Sequence, residues 1–108
     1  MYICIMNAKI VSEITALKRE VLPNDKLILF GSQARGDARP DSDWDLLVLL
    51  DKDKKYKYDY AKYRHPFVEL GWKAGKYFST KIFTLAEWKM QTGTPFYKNI
   101  IKDGIEIK

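Results

Sequence analysis

Apolar residues recur at spacings of three and four between residues 8 and 22, with charged residues largely between them, which predicts an amphipathic helix. Pro23 ends this pattern. The short apolar run at residues 26–31 is bounded by turn-forming residues, as a buried strand is. Residues 44–50 are almost continuously apolar apart from Asp45, a pattern typical of a strand buried on both faces. We therefore expect residues 44–50 to form a central strand of a sheet.

The segment between these two strands has the composition of a turn followed by an exposed loop. Gly31 breaks the first strand, and Ser32 is placed to N-cap a short helical turn. Gly36, Pro40 and a high density of Asp, Arg and Ser residues then predict a loop as far as Ser42.

The second half of the chain mixes helical and extended patterns. Residues 56–74 repeat apolar and aromatic side chains at helical spacing. Pro66 lacks a backbone donor and disfavours helical geometry at His65, so we expect two helical pieces that meet there. The remaining segments predict a third strand at 77–84, a helix at 85–92, a helix at 95–103 capped by Gly104, and a short last strand at 105–107.

Length and charge limit what the chain can do alone. With 108 residues, we expect one domain spanning residues 1–108, without a second substrate-binding lobe. A partner protein or a second copy of the chain would have to supply that lobe. The net charge is +5, and residues 52–81 hold nine basic and three acidic residues. This stretch is either a binding surface for an anionic partner or a solvated helix face.

The single cysteine, Cys4, has no internal disulfide partner and no metal-ligand spacing around it, so it is expected to be a small core residue. No window approaches the ~18 apolar residues that a membrane span requires, and the chain start lacks the basic leader of a signal peptide. We therefore expect a cytoplasmic protein without membrane association.

Two aspartates predict a metal site at the start of the central strand. Asp43 and Asp45 are two residues apart, so their side chains project from the same face. Magnesium typically takes one or two carboxylates together with substrate phosphates. Gly31 and Ser32 add a turn, and a phosphate group can approach the backbone of that turn closely. Together these residues predict a site for a metal-bound nucleoside triphosphate.

Two other motifs are excluded by their missing residues. A P-loop requires Lys and then Ser or Thr where Asp37 and Ala38 stand. A calcium-binding EF-hand requires a glycine where Leu46 stands and a bidentate Glu where Lys52 stands.

The order Gly31-Ser32, ten residues, then Asp43-x-Asp45 followed by Leu-Leu-Val resembles the signature of the DNA polymerase β-like nucleotidyltransferase superfamily. Within that superfamily, the sequence of this motif is similar to that of minimal nucleotidyltransferases. The resemblance implies an α/β (α+β) nucleotidyltransferase fold, with helices packed around a small mixed sheet. It also implies that Gly31 and Ser32 hold the triphosphate of ATP or another nucleotide, and that Asp43 and Asp45 coordinate two Mg²⁺ or Mn²⁺ ions.

Three further positions bear on catalysis or phosphate binding. The superfamily has a third carboxylate on a later strand, and Ser79 stands where we expect it. Glu69 is a substitute only if its helix ends over the site. Arg35 is a candidate for contacting phosphate, although an ion pair with a loop aspartate explains it equally well.

The leading hypothesis is a magnesium-dependent transferase that places AMP from ATP on a hydroxyl group. Minimal nucleotidyltransferases of this kind typically act as antitoxins to a helical HEPN-domain protein, so the resemblance implies such a partner. The alternative is a catalytically degenerate, non-catalytic antitoxin. An RNA-binding module ranks last because no RNA-recognition motif is visible and the tyrosines at residues 56–63 have the helical spacing of core residues. Nucleic acid is therefore not an expected partner.

Overall fold

The computed structural model describes residues 5–108, with side chains from residue 8 onward, so Cys4 lies outside the described residues. The elements are α1 (Ile5–Val21), β1 (Lys26–Phe30), α2 (Gly31–Arg35), β2 (Trp44–Leu50), α3 (Lys57–Lys73), β3 (Phe78–Thr84), α4 (Leu85–Lys89), α5 (Pro95–Asp103) and β4 (Ile105–Ile107). No helix within residues 5–108 is long and apolar enough to cross a membrane.

The four strands form one mixed sheet in the order β3-β2-β1-β4. Strand β1 pairs antiparallel with β2 and with β4, whereas β2 and β3 run parallel. The crossover from β2 to β3 contains α3, as a parallel pair requires. The expected α/β fold with a small mixed sheet is therefore confirmed, and β2 lies in the interior of the sheet.

Alternate residues of β2 define the two faces of the sheet. Trp44, Leu46, Val48 and Leu50 point toward α1 and α3, where they form the larger core cluster together with Phe67. We call this side the α3 face. Leu47 and Leu49 point to the opposite side, the α5 face, where they pack against residues of α4 and α5. Asp45 shares the parity of Leu47, so it lies on the α5 face.

Helix α3 corrects the prediction of two helical pieces. It runs unbroken from Lys57 to Lys73 with Pro66 inside it. Proline removes one backbone hydrogen bond, but the neighbouring Phe67 is completely buried and Tyr63 and Leu70 pack against the same core. Packing on both sides of Pro66 therefore keeps the helix continuous.

Helix α4 is shorter than the pattern at 85–92 predicts. It begins with a capping box, in which Glu87 donates its backbone N–H to the Thr84 hydroxyl and accepts the Thr84 N–H. It ends at Lys89, and residues 90–94 form turns that lead into α5.

Three tyrosines at the N-terminal end of α3 are less buried than a core role predicts. Tyr56, Tyr58 and Tyr60 are 49%, 61% and 43% exposed, so a core role is wrong for all three. Trp72 is 65% exposed, whereas Trp88 is buried. The outer side of α3 is therefore an uncovered aromatic surface.

Candidate active site

Gly31 follows the last residue of β1 and turns the chain sharply at the edge of the site. Its φ angle is +72°, in the left-handed region that favours glycine. A Cβ atom built on Gly31 would collide with Oδ2 of Asp45. The Asp45 carboxylate thus lies directly against the backbone of the turn.

Asp45 is the only charged residue of β2, and it lies near the start of the strand opposite Phe30 of β1. Partial burial raises the pKa of its carboxyl, and the negative charge of Asp43 raises it further. Lys81 and Arg35 oppose this shift in pKa with their positive charges. A bound cation would offset both the cost of burying a charged carboxylate and the repulsion between the two carboxylates.

Asp43 lies one residue before β2 and is exposed. The intervening Trp44 is 1% exposed on the α3 face, and its backbone N–H donates to the carbonyl of Tyr77 at 2.9 Å. Burial of Trp44 on that face therefore leaves Asp43 and Asp45 together on the other side, as the spacing predicts.

Ser32 is not the N-cap that the sequence predicts. Helix α2 begins at Gly31 with Phe30 as its N-cap, and no side chain caps it. The positive φ angle of Gly31 lets the chain enter the helix one residue earlier. Ser32 is half-buried, and its carbonyl accepts the backbone N–H groups of Gly36 and Asp37.

Of the two interpretations of Arg35, the structure shows the ion pair with a loop aspartate, and phosphate contact stays a prediction. Its Nε lies 3.2 Å from Oδ2 of Asp37, with both side chains largely exposed. It also lines a cavity of about 210 Å³ beside Gly31, and the opposite wall of this cavity comes from α5. The residues of α5 that contribute are Phe96, Asn99, Ile100 and Asp103. The sequence does not predict this wall, because nothing in the chain order places α5 beside α2.

The position of the missing third carboxylate agrees with the register of the sheet. Ser79 pairs directly with Asp45 across the parallel strands. Lys81, two residues further along β3, lies on the same face and adds a cation that sequence analysis did not place here. The alternation of side chains along β3 places Lys81 on the same face as Ser79. This alternation is informative about the site only when the register with β2 is known.

Glu69 does not replace the third carboxylate. It forms an ion pair with His65 at 2.8 Å on α3, and that helix packs against the face opposite Asp45. Residues 5–108 contain no group of three or more His, Cys, Asp or Glu side chains arranged to hold a metal. Two carboxylates beside a glycine turn still fit magnesium, which usually completes its coordination with substrate phosphates and water.

Known proteins resemble this chain in fold and in family. Residues 12–105 match the family model described as the nucleotidyltransferase domain. No curated protein matches the sequence. One solved structure, described as the crystal structure of a toxin-antitoxin with AMP-PNP, has a TM-score of 0.63 and 17% sequence identity. The match covers 91% of this chain and 72% of that chain, and at this identity it shows the fold. The chain belongs to the nucleotidyltransferase domain family, on the match that spans most of its length.

Proposed function

We propose that this protein is a metal-dependent nucleotidyltransferase that transfers AMP from ATP to a hydroxyl group of a partner protein, using Mg²⁺ or Mn²⁺. The observation that carries the proposal is the contact between Asp45 and Gly31, because it joins a carboxylate to a backbone turn that phosphate can approach. Membership of the family supports it, since nucleotidyltransferases generally use divalent metals.

Each residue of the site has a separate role in this proposal. Asp43 and Asp45 hold the metal ions, which when bound neutralise charge on the attacking and leaving oxygens. Gly31 and Ser32 receive the triphosphate along their backbone. Arg35 and Lys81 add positive charge beside it.

The transfer forms one bond and breaks one bond. The acceptor hydroxyl oxygen bonds to the α-phosphorus of ATP, and the bond between that phosphorus and the pyrophosphate oxygen breaks. Ser79 is not a base at neutral pH, so the hydroxyl proton passes to solvent. A rate about 10²- to 10⁴-fold below that of an enzyme with a general base is expected.

The proposed acceptor is a tyrosine of a HEPN-domain protein that this chain neutralises as an antitoxin. The fold shared with a structure described as a toxin-antitoxin with AMP-PNP supports a nucleotide and a protein partner. The docking surface we propose is the exposed pair Trp72 and Tyr77. The carbonyl of Tyr77 accepts a hydrogen bond from the backbone N–H of Trp44, the residue between the two aspartates, so the Tyr77 end of this surface adjoins the site.

The test is co-expression with a HEPN-domain partner, followed by incubation with ATP and Mg²⁺ and intact-mass analysis. We expect the co-purifying partner to gain one AMP unit for each modified tyrosine. The Asp45→Asn variant should still bind the partner but leave its mass unchanged. A chain that elutes alone beside a well-folded HEPN protein would contradict the account of the partner.

A second function, a non-catalytic binding module, is favoured by one observation. Ser79, which is not a carboxylate, stands directly across from Asp45 in the register of the two parallel strands. The Ser79→Asp variant separates the two functions. Transfer of labelled AMP by this variant but not by the natural chain would support the module, whereas transfer by both would support the enzyme.

A further inference from the structure

We propose that residues 52–65 form a second binding surface, for single-stranded nucleic acid, separate from the nucleotide site. Strand β2 begins beside Asp45 and ends at Leu50, immediately before this segment. The surface therefore lies at the opposite end of the sheet from the carboxylates. We call it the tyrosine-lysine surface.

Two stacked aromatic rings form its centre. The rings of Tyr56 and Tyr58 are nearly parallel, at an interplanar angle of 3°, with centroids 5.8 Å apart. Both side chains are about half exposed or more. Exposed aromatic faces of this kind stack on unpaired bases without regard to sequence.

Cations surround these rings. Nζ of Lys52 and of Lys54 each lie 5.5 Å from the centroid of the Tyr56 ring. The exposed basic residues of the surface that form no ion pair within residues 5–108 are Lys54, Lys57, Lys62 and Arg64. The two acids of the segment are Asp53, which is exposed, and Asp59, which is buried. The exposed face therefore carries a clear excess of positive charge.

Buried polar contacts hold the surface in place. Asp59 is 1% exposed and accepts from Nζ of Lys52 at 2.8 Å and from the backbone N–H of Tyr56 at 2.7 Å. Lys55 donates to the carbonyl of Ile82 at 2.7 Å, which ties the segment to β3. The rings are therefore presented by a fixed backbone, which reduces the entropy lost on binding.

The surface continues for more than one turn along α3. Tyr60 and Arg64 line a cavity of about 250 Å³ together with Ala61, His65 and Val68. From residue 57 to residue 65 the helix rises about 12 Å. That length matches roughly three or four stacked nucleotides at about 3.4 Å each.

The chemistry favours nucleic acid over the other anionic partners. A membrane-binding helix needs an apolar face beside its cations, but the exposed side here carries tyrosine hydroxyls and a histidine. Lysine is depleted at protein–protein interfaces, whereas alternating tyrosine and lysine supply stacking for bases and charge for phosphates.

Fluorescence anisotropy with a labelled 12-nucleotide single-stranded RNA, and with DNA of the same sequence, tests the proposal. We expect the Tyr56→Ala/Tyr58→Ala variant to bind at least about tenfold more weakly, because it removes the stacking rings. The Tyr56→Phe/Tyr58→Phe variant keeps the rings and should bind like the natural chain. Ile101→Ala removes an exposed apolar side chain on α5, away from this surface, and serves as the control. Binding by either strand type supports the proposal.

Salt dependence tests the contribution of charge. The Lys54→Gln/Lys57→Gln variant should reduce the slope of log affinity against log salt by about 1.4, as expected for two lost phosphate contacts. The matched variant Lys98→Gln/Lys102→Gln removes two exposed lysines from α5 and should leave the slope unchanged.

Three results would overturn the proposal: no binding at low salt, equal binding of duplex and single strands, or equal binding by the alanine and phenylalanine variants. The last result would indicate a surface that attracts any polyanion, including an acidic protein. Asp45→Asn should retain full affinity for the oligonucleotide, so failure of this proposal is distinguishable from failure of the nucleotide site.

Discussion

Strand β2 presents two faces that the rest of the chain covers to different extents. On the α3 face, Trp44, Leu46, Val48 and Leu50 are all 1% exposed or less beneath two long helices. On the α5 face, two short helices bury Leu47 and Leu49 but leave Asp45 only partly covered. The difference indicates that one face supplies most of the folding stability, while the uncovered end of the other is available for chemistry.

Truncating the core of each face tests this division and has the largest expected effect. Phe67→Ala, in the fully buried α3 core, should reduce the free energy of unfolding by about 3–5 kcal/mol. Phe83→Ala, in the partly buried cluster on the α5 face, should cost about 1–2 kcal/mol because less area is lost. Urea unfolding measures both, and equal losses would show that the two faces contribute alike.

Alanine substitutions at two glycines distinguish the effect of backbone strain from the effect of a collision with Asp45. Gly31 and Gly36 have similar φ angles, +72° and +81°, so alanine at either position should cost about 1–2 kcal/mol of stability. Only at Gly31 does the added Cβ meet Asp45, since nothing lies within 4 Å of it at Gly36.

We therefore expect Gly31→Ala to weaken nucleotide binding at least about tenfold, equivalent to 1.4 kcal/mol, relative to Gly36→Ala. Calorimetric titration with ATP and Mn²⁺ measures this difference. Similar affinities in the two variants would contradict the place we give to Gly31.

Low pH should destabilise the N-terminal end of α3, because a single carboxyl group there becomes protonated. The hydrogen bond from Lys52 and the backbone N–H of Tyr56 hold the pKa of Asp59 below its usual value of 3.8. Because this pKa is lowered by folding, its stabilisation is present above pH 3.8 and is lost as the pH falls through the folded-state value.

Asp59→Asn should therefore melt at a lower temperature than the natural chain at pH 7, with a smaller difference at pH 3. Asp53→Asn, at an exposed position, is the control. Thermal melts followed by circular dichroism measure this, and a difference that does not depend on pH would count against the ion pair.

The smallest expected effect is on stability at the site itself. Asp45→Asn removes a partly buried charge that Asp43 repels, so without metal the free energy of unfolding should change by no more than about 0.5 kcal/mol or rise slightly. A loss above 1 kcal/mol in urea unfolding would indicate a structural role for Asp45.

The sequence predicts the strands well because apolar runs bounded by turns leave few alternatives, as for residues 44–50. The family resemblance also directs attention to Ser79, which the register of the sheet pairs with Asp45. Prediction from the sequence fails at Pro66, where tertiary packing outweighs a local preference, and at Tyr60, where helical spacing does not reveal which side of α3 is covered. Lys81 was missed because its position depends on the register between two strands that are distant in the chain.

The most direct test of the central claim is manganese-dependent ATP binding by calorimetry, on the natural chain and on Asp43→Asn and Asp45→Asn. We expect each substitution to abolish metal-dependent binding while the circular dichroism spectrum stays unchanged. Asp41→Asn, in the exposed loop before the site, should bind like the natural chain. Equal affinity in the natural chain and in both site variants would contradict the assignment of Asp43 and Asp45 as the metal-binding residues.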